Sequence, residues 1–375
     1  MTRLALALAV AGCGRIGFDT SATSATSCAL ELSPAAASVN LNSRVRFVAT
    51  NGRAPIAFAV DTGGGDIDES GTYFSPGEPG SATIVATDAD SCTATAAVTT
   101  AGSSLFYIAG DASGPQNQVW RSDDGKTWTQ VATAPFAPRF RCGAIVFDDQ
   151  MWIVGGTPDG MTQFSDVFAS TDGVTWRNAG TLPVPTTAMG ITVLGHQLWI
   201  VGGVSTVGNI DVVRSSPDGA SWTDEGHFPQ AAHGLRLVIA EGRMLSLGGH
   251  ATVQFPDTYS SYDGATWTME APLPAARELE AAIVRAGTVW VGGGVTNTAS
   301  LGDVATTVDA NAWVMEPAFP TVRGETGFAV LGDRVFVAGG NDANVYSSAD
   351  AATWQLEGTL PASRAGGGFL SFTPH

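Results

Sequence analysis

The sequence predicts an all-β protein in which six similar four-stranded units follow a smaller β domain. A seven-residue pattern, Ser/Thr-x-Asp-Gly/Ala-x-Thr/Ser/Ala-Trp, occurs six times at intervals of 41 to 48 residues. Each copy is accompanied by an apolar run that ends in glycine, in five of the six cases as a pair. Glycine accounts for 46 of 375 residues and charged residues for only 14%. A repeat of this length and a composition rich in turn residues together favour a repetitive β fold.

The seven-residue pattern is expected to form a turn between two strands. Its Asp-Gly pair favours a tight turn, because glycine readily adopts the positive φ that such turns need. The Asp and Ser/Thr side chains can accept hydrogen bonds from the turn amides, and the Trp can fill the gap to a neighbouring unit. We therefore interpret the six acids as structural and not as a catalytic set. The copies begin at Ser122, Ser170, Ser216, Ser261, Thr307 and Ser348.

The apolar runs predict strands that are buried on both faces. In each unit such a run is expected to be the second strand, as in residues 151–156, after an innermost strand such as 327–331. The third strand resembles 212–215, and the fourth begins at the Trp. Six four-stranded units predict a six-bladed β-propeller, a ring that protects its sheet edges.

The two ends of the repeat region are expected to complete one blade together. The first unit has no innermost strand before Leu105, whereas residues 364–372 match the innermost strand of the other units. The last blade is therefore predicted to combine three strands from the N-terminal side with one from the C-terminus.

An apolar strand, a glycine pair and a spaced Trp resemble kelch repeats and the wider galactose-oxidase-type propellers, over nearly all of residues 104–375. The turn is also similar to the Asp-box of sialidase-type propellers, although it has one residue fewer between Asp and Gly. The glycine-pair strands favour the kelch resemblance.

The kelch resemblance implies a ligand site at the mouth of the central channel. In kelch proteins that capture acidic peptide segments, arginines just before the innermost strands line this mouth. Four units carry such an arginine, and two depart from the pattern, at Thr186 and near Ala232-His233. The basic collar would suit a carboxylate or phosphate. Alternatively, these arginines pair with Glu278, Glu280 and Glu325 and only close the entrance. The four are Arg139, Arg277, Arg323 and Arg364.

The enzymatic alternatives have weaker support in the sequence. Copper-oxidase chemistry needs Tyr and His ligands and a Tyr cross-linked to Cys, but the five His show no ligand spacing, and only Cys142 lies near a blade entrance. Sialidase-like chemistry needs a Tyr nucleophile with a carboxylate, whereas Tyr259, Tyr262 and Tyr346 fall on expected third strands. We predict no catalytic residue, metal site or cofactor.

Residues 28–101 are expected to form a separate antiparallel sandwich, because short alternating strands are divided by turn clusters. The segment resembles a bacterial immunoglobulin-like surface domain. Cys28 and Cys92 are a disulfide candidate in an exported protein, and Cys142 is expected to be a buried, inert thiol. Asp88 and Asp90 lack calcium-loop spacing and indicate a polar turn.

The first 27 residues predict export and a lipid anchor. Arg3 precedes a short apolar run at residues 4–10, too short to cross a bilayer as a helix. Residues 10–13 resemble the bacterial lipobox, which implies a signal peptide at 1–12 and lipidation of Cys13; the alternative is a plain signal peptide. Residues 13–27 are small and polar, as in a flexible tether.

The net charge of −17 argues against nucleic acid or an anionic membrane surface as a partner. We therefore expect a monomeric, envelope-anchored protein whose propeller, residues 104–375, binds an unknown protein or carbohydrate without catalysis. Its only membrane contact would be the lipid. An extracellular oxidase- or glycosidase-like enzyme is the alternative.

Overall fold

The computed structural model describes residues 28–375, and Cys13, the signal peptide and the tether lie outside them. The described residues form 35 strands and no helix, which confirms the all-β prediction. Since they contain no helix, they also contain none that is long and apolar enough to cross a membrane.

The N-terminal part consists of three small sheets around one apolar core. The sheets have the strand orders β2-β9-β8-β5, β3-β7-β6 and β1-β4, and β2 runs parallel to β9. Phe47, Tyr73 and Ile84 are buried at the centre of the core. A disulfide joins Cys28 to Cys92, as predicted. The strands are β1 (Glu31–Ser33), β2 (Ala36–Val39), β3 (Arg44–Arg46), β4 (Val48–Thr50), β5 (Ala57–Thr62), β6 (Asp66–Ile67), β7 (Thr72–Phe74), β8 (Gly80–Thr87) and β9 (Thr93–Thr100).

The repeat region forms six four-stranded antiparallel sheets, numbered here along the chain. Sheet 1 contains β10 (Ser104–Ile108), β11 (Gln118–Ser122) and β12 (Thr129–Thr133). Sheet 2 contains β13 (Gly143–Phe147), β14 (Gln150–Val154), β15 (Asp166–Ser170) and β16 (Arg177–Thr181). Sheet 3 contains β17 (Gly190–Leu194) and β18 (Gln197–Val201), then the small hairpin β19 (Val204–Ser205) and β20 (Gly208–Asn209), then β21 (Val212–Ser216) and β22 (Thr223–His227).

The remaining three sheets repeat this order. Sheet 4 contains β23 (Arg236–Ala240), β24 (Arg243–Leu247), β25 (Thr258–Ser261) and β26 (Thr268–Met269). Sheet 5 contains β27 (Ala281–Arg285), β28 (Thr288–Gly292), β29 (Val304–Thr307) and β30 (Val314–Glu316). Sheet 6 contains β31 (Thr326–Leu331), β32 (Arg334–Gly339), β33 (Asn344–Ser348) and β34 (Gln355–Thr359). The last strand, β35 (Gly368–Phe372), belongs to sheet 1.

The C-terminal strand pairs with the first strand of the repeat region. β35 lies antiparallel to β10, with Tyr107 opposite Phe369, and this confirms the predicted composite sheet. The inner strands β13, β17, β23, β27, β31 and β35 each contact the next, and β35 returns to β13. They therefore surround a central channel.

The repeated turn has the predicted local hydrogen bonds. In sheet 2, Oδ1 of Asp172 accepts bonds from the amides of Val174 and Thr175, both at 2.7 Å, and Oγ of Ser170 accepts one from Gly173 at 2.8 Å. The Trp176 indole donates to the Gly173 carbonyl at 3.1 Å and is buried. Each fourth strand begins one residue after its Trp.

The N-terminal sheets lie across one end of the channel. The Asn42 carbonyl accepts a bond from the Asp148 amide at 2.9 Å, and Oδ1 of Asn40 accepts one from the Thr373 amide at 2.6 Å. Phe74 stacks on His196, with ring centroids 3.6 Å apart. These contacts reach the turns between the first and second strands of sheets 2 and 3 and the end of β35 in sheet 1. The opposite end of the channel is therefore the uncovered one.

Candidate functional site

The candidate site lies at this uncovered end, where six short segments lead into the inner strands. We call it the entrance, and it consists of residues 139–142, 186–189, 232–235, 277–280, 323–326 and 364–367. Two of the six segments differ from the rest in carrying no arginine at their first or second residue. In the other four segments, the positions of the arginine side chains show whether they form the predicted basic collar.

The four predicted arginines do not line the entrance. Arg139, Arg277, Arg323 and Arg364 are at most 3% exposed. Nη1 of Arg139 donates to the Gly155 carbonyl at 2.8 Å, and its two Nη atoms lie 2.5 and 2.9 Å from the Asp166 carboxylate.

The other three arginines repeat this arrangement. Arg277 bonds Gly293 and Asp303, Arg323 bonds Gly339 and Asp342, and Arg364 bonds Ala109 and Gln118. Each guanidinium therefore joins the end of the second strand to the start of the third within its own sheet. The acidic partners are not Glu278, Glu280 and Glu325, as the alternative prediction had them. The Nε atoms of Arg323 and Arg364 have no hydrogen-bond partner among the described residues, but they are fully buried. The other donors described here are buried and already satisfied, so the four guanidinium groups are not available to a ligand.

A ring of left-handed residues forms the rim of the entrance. The φ angles of the six equivalent residues lie between 51° and 69°. Five of them donate an amide hydrogen bond to the carbonyl of the equivalent residue in the preceding sheet, at 2.7 to 3.0 Å. Among the described residues no such bond joins Glu325 to Leu279. The residues are Arg141, Ala188, Gly234, Leu279, Glu325 and Gly366. Left-handed backbone is unfavourable for residues with a Cβ, so these interlocking bonds hold the rim in place.

Arg236 lies beside the gap in this ring. Its Nε donates to the Glu280 carbonyl of sheet 5, and its Nη2 lies 3.5 Å from the Thr326 carbonyl of sheet 6. Its Nη1 makes no hydrogen bond with residues 28–375, and this atom is not fully buried. Burial lowers the pKa of Arg236, against the opposing effect of Glu280 and Glu325. Arg236, the first residue of β23, follows the entrance segment 232–235 directly and therefore has a free donor next to the entrance.

Arg141 and Glu325 form an ion pair on the rim. Nε of Arg141 lies 3.1 Å from Oε1 of Glu325, and the side chains are 32% and 16% exposed. The pair spans sheet 1 above Gly366, where a Cβ would lie 2.8 Å from Oε2 of Glu325. It is the most exposed arginine–carboxylate contact on the rim, so a ligand can reach it.

A polar cluster continues the site across sheets 3, 4 and 5. Nδ1 of His233 lies 2.9 Å from Oδ1 of Asn209, and its Nε2 lies 3.2 Å from Oε2 of Glu278. Nε2 of Gln254 donates to Oε1 of Glu278 at 2.9 Å. Burial would raise the pKa of Glu278, but the neighbouring His233 and Gln254 outweigh it and lower the pKa. Glu278 is therefore ionised at neutral pH.

The neighbouring carboxyl group, Glu280, has the opposite environment. Its side chain is fully buried, and neither carboxyl oxygen has a hydrogen-bond partner among the described residues. Burial raises its pKa to about 8, although Arg236 and Arg277 lower it in part. Glu278 and Glu280 thus differ in charge at neutral pH.

The cysteine and tyrosine side chains that copper-oxidase chemistry would need have other environments here. Cys142 is a free cysteine that is half-buried and not fully buried as predicted. Burial nevertheless raises the pKa of its thiol to about 11, and the Tyr107 hydroxyl donates to the Arg364 carbonyl at 3.0 Å. Within residues 28–375, no three His, Cys, Asp or Glu side chains lie where they could hold a metal ion together. Tyr259 and Tyr346 lie on third strands, as predicted. Tyr262 does not, because β25 ends at Ser261 and Tyr262 is the exposed residue that follows it.

The sequence contains a signal for Arg236 that was not used in the prediction. In the other five units the residue in its pairing position is glycine or alanine, namely Gly143, Gly190, Ala281, Gly327 and Gly368. A comparison of the repeats at this position would have singled out Arg236. The same comparison identifies Arg141, His233 and Glu280, because the residues at the matching positions of the other units are of different chemical types.

Comparison with known proteins supports the fold. The model of the DUF6242 beta propeller domain matches residues 87–225, which is less than half of the chain. Beta-scruin from Limulus polyphemus is 25% identical over 150 residues, and the match covers 38% of this chain but only 16% of that protein. The structure of YjhT has a TM-score of 0.54 at 15% identity and covers 64% of this chain and 91% of the other. These likenesses confirm a β-propeller fold with kelch-like repeats.

Proposed function

We propose that this protein is an exported, lipid-anchored binding protein whose entrance recognises an acidic group on a protein or glycan. The six sheets would be the six blades of one propeller spanning residues 104–375, and residues 28–101 an immunoglobulin-like domain. The cycle of contacts among the six inner strands supports the blade count. The three sheets around one disulfide-linked core support the second assignment.

The proposal rests on the position of Arg236. This arginine replaces a glycine or alanine of the other units, and its Nη1 is free next to the entrance. Arg141 supplies a second guanidinium that can exchange Glu325 for a ligand carboxylate. Bidentate donors of this kind suit carboxylate and phosphate groups. The amides of Asn209 and Gln254 would contact the uncharged part of the ligand.

Binding to panels of acidic and neutral peptides and glycans, measured on immobilised full-length protein, tests this function. Arg236→Gly, which restores the residue of the other units, should weaken binding of an acidic ligand about 10- to 100-fold, since a charge-assisted hydrogen bond contributes about 1.5–3 kcal/mol. Arg177→Ala is the matched control, because Arg177 is exposed on an outer strand. Unchanged affinity in the Arg236 variant would remove the proposed role.

The export and anchor proposals rest on the residues before Cys28. Replacing Cys13 by Ser should release the protein from membranes, since the cysteine is the predicted acceptor of the lipid chains. Membrane fractionation of cells expressing each form measures this. Equal membrane association of both forms would contradict the lipid anchor.

One observation favours an enzyme as the second candidate. Glu278 and Glu280 lie two residues apart in one entrance segment, and their pKa values shift in opposite directions. Such pairs are typical of acid and base groups in glycoside hydrolysis. A glycosidase screen with wild type and Glu280→Gln would test this candidate. Activity that is lost in the variant would favour the enzyme over the binding module.

A further inference from the structure

A cavity of about 570 Å³ lies between the N-terminal sheets and the ring of inner strands. One wall consists of the inner strands, with an isoleucine from each of sheets 2 to 5. The opposite wall is the N-terminal part, with Leu41, Phe74 and Pro76. The isoleucines are Ile145, Ile191, Ile239 and Ile283. We call this cavity the axial chamber, and it lies at the opposite end of the channel from the entrance.

The size and walls of the axial chamber suit a small apolar molecule. Small-molecule sites usually have volumes of about 300–1,000 Å³ and are lined mainly by apolar side chains. The four isoleucines are only partly buried, so their side chains still expose apolar surface there. Covering this surface with an apolar ligand would be favourable.

The charged side chains that line the chamber favour a positively charged ligand. Its lining includes three carboxylates, Asp66, Glu78 and Glu241, and no lysine or arginine. Arg243 lies 3.3 Å from Glu241, and Glu78 accepts a bond from the Gly287 amide at 3.2 Å. Asp66 has no ion pair within residues 28–375. His196 is stacked on Phe74, and burial lowers its pKa, so it adds little positive charge at neutral pH.

We propose that the axial chamber binds a small organic cation with a compact apolar body. The isoleucines and Phe74 would contact the body, and the carboxylates, Asp66 foremost, would face the ammonium group. An anion of the same shape would meet the negative field without a compensating lysine or arginine in the lining. This site is independent of the proposed function, because no residue of the entrance lines it.

A matched pair of probes tests the proposal on the full chain: 1-adamantylammonium and 1-adamantanecarboxylate share an apolar body and differ in charge. Isothermal titration calorimetry should show one bound ammonium per chain. The carboxylate should bind at least about tenfold more weakly, as expected for a single charge reversal near a partly screened carboxylate. Asp66→Asn should reduce this preference. Equal binding of both probes, or no binding of the ammonium, would overturn the proposal.

Blocking variants locate the binding site. Ile239→Trp should fill the chamber and abolish ammonium binding, whereas Val314→Trp should leave it unchanged, because Val314 is 59% exposed on an outer strand. Ile283→Phe is the second blocking variant should Ile239→Trp fail to fold. Undiminished binding to a folded blocking variant would place the probe elsewhere and refute the assignment. Loss of acidic-ligand binding at Arg236→Gly is a separate outcome, so the two proposals can fail independently.

Discussion

A Cβ at Gly219 would lie 2.3 Å from Cζ3 of Trp152, so the turn of sheet 3 fits directly against the second strand of sheet 2. The same relationship joins four successive pairs of sheets. In each pair, the glycine of the turn contacts the aromatic residue at the second apolar position of the preceding sheet. The pairs are Gly125–Phe336, Gly173–Phe106, Gly219–Trp152 and Gly264–Trp199. The repeated turns therefore fasten neighbouring sheets to each other.

Gly219→Ala is expected to lower the free energy of unfolding by about 2–4 kcal/mol. The added methyl group would meet the Trp152 ring at a backbone φ of 71°, which combines overpacking with an unfavourable conformation. Urea denaturation measures the loss. Gly332→Ala is the matched control, because Gly332 has a φ of 60° and nothing within 4 Å of a Cβ. A loss of the same size in both variants would show that the contact with Trp152 is unimportant.

Arg139→Met is expected to destabilise the fold by about 3–5 kcal/mol. The substitution leaves the Asp166 carboxylate and the Gly155 carbonyl without their buried partner, and breaking a buried ion pair has this magnitude. Arg177→Met, on the exposed surface, should change stability by less than about 1 kcal/mol. A stable Arg139→Met protein that has lost acidic-ligand binding would restore the basic-collar prediction.

Glu280 is expected to make the protein less stable as pH rises from about 5 to 8. Its pKa of about 8 in the folded state exceeds the ordinary glutamate value of 4.5, so the folded state binds more protons than the unfolded state in this range. The free energy of unfolding then falls with pH. Above pH 8 the total loss from this group is at most about 5 kcal/mol.

Glu280→Gln removes this titration and should flatten the pH dependence between pH 5 and 8. Urea denaturation of wild type and variant at both pH values measures the difference. Glu225→Gln is the comparison, because Glu225 lies on the outer strand β22 of sheet 3. An unchanged pH dependence in Glu280→Gln would mean that the carboxyl group is already ionised at pH 5.

Cys142 is expected to react slowly with iodoacetamide in the folded protein. A thiol with a pKa of about 11 has about 100-fold less thiolate at pH 8 than an unperturbed thiol, and only the thiolate is nucleophilic. Peptide mapping by mass spectrometry compares the rate at Cys142 in native and urea-unfolded protein. Similar rates in the two states would contradict the burial of this thiol.

The repeats made most of the fold predictable. The turn motif occurs in every unit and the glycine pair in five of the six, so strand order, turn hydrogen bonds and the composite sheet follow from local patterns. The pairing of Cys28 with Cys92 was predictable as well, because the other two cysteines lie outside residues 28–101. These features depend on residues that are close in sequence or repeated along it.

The site was less predictable, because it depends on contacts between distant segments. Arg139 and Arg141 are two residues apart, yet one is buried against Asp166 and the other pairs with Glu325 on the rim. Strict alternation would place both side chains on the same face, but the left-handed backbone at Arg141, with a φ of 51°, breaks the alternation. The resemblance to kelch repeats pointed to the buried set. No local sequence pattern predicts that Asn42 and Phe74 contact the ring of inner strands. The N-terminal sheets and the repeat region each complete their strand pairing without the other, so neither pattern indicates the contact.

The pairing of β10 with β35 also constrains the order of events during synthesis. Leu105 cannot form its strand pairing with Ser371 until Ser371 has been synthesised and has left the ribosome. Until then the nascent chain carries an unpaired strand edge, which is prone to associate with other chains. A truncation that removes residues 368–375 should therefore yield aggregated protein and not a smaller soluble ring.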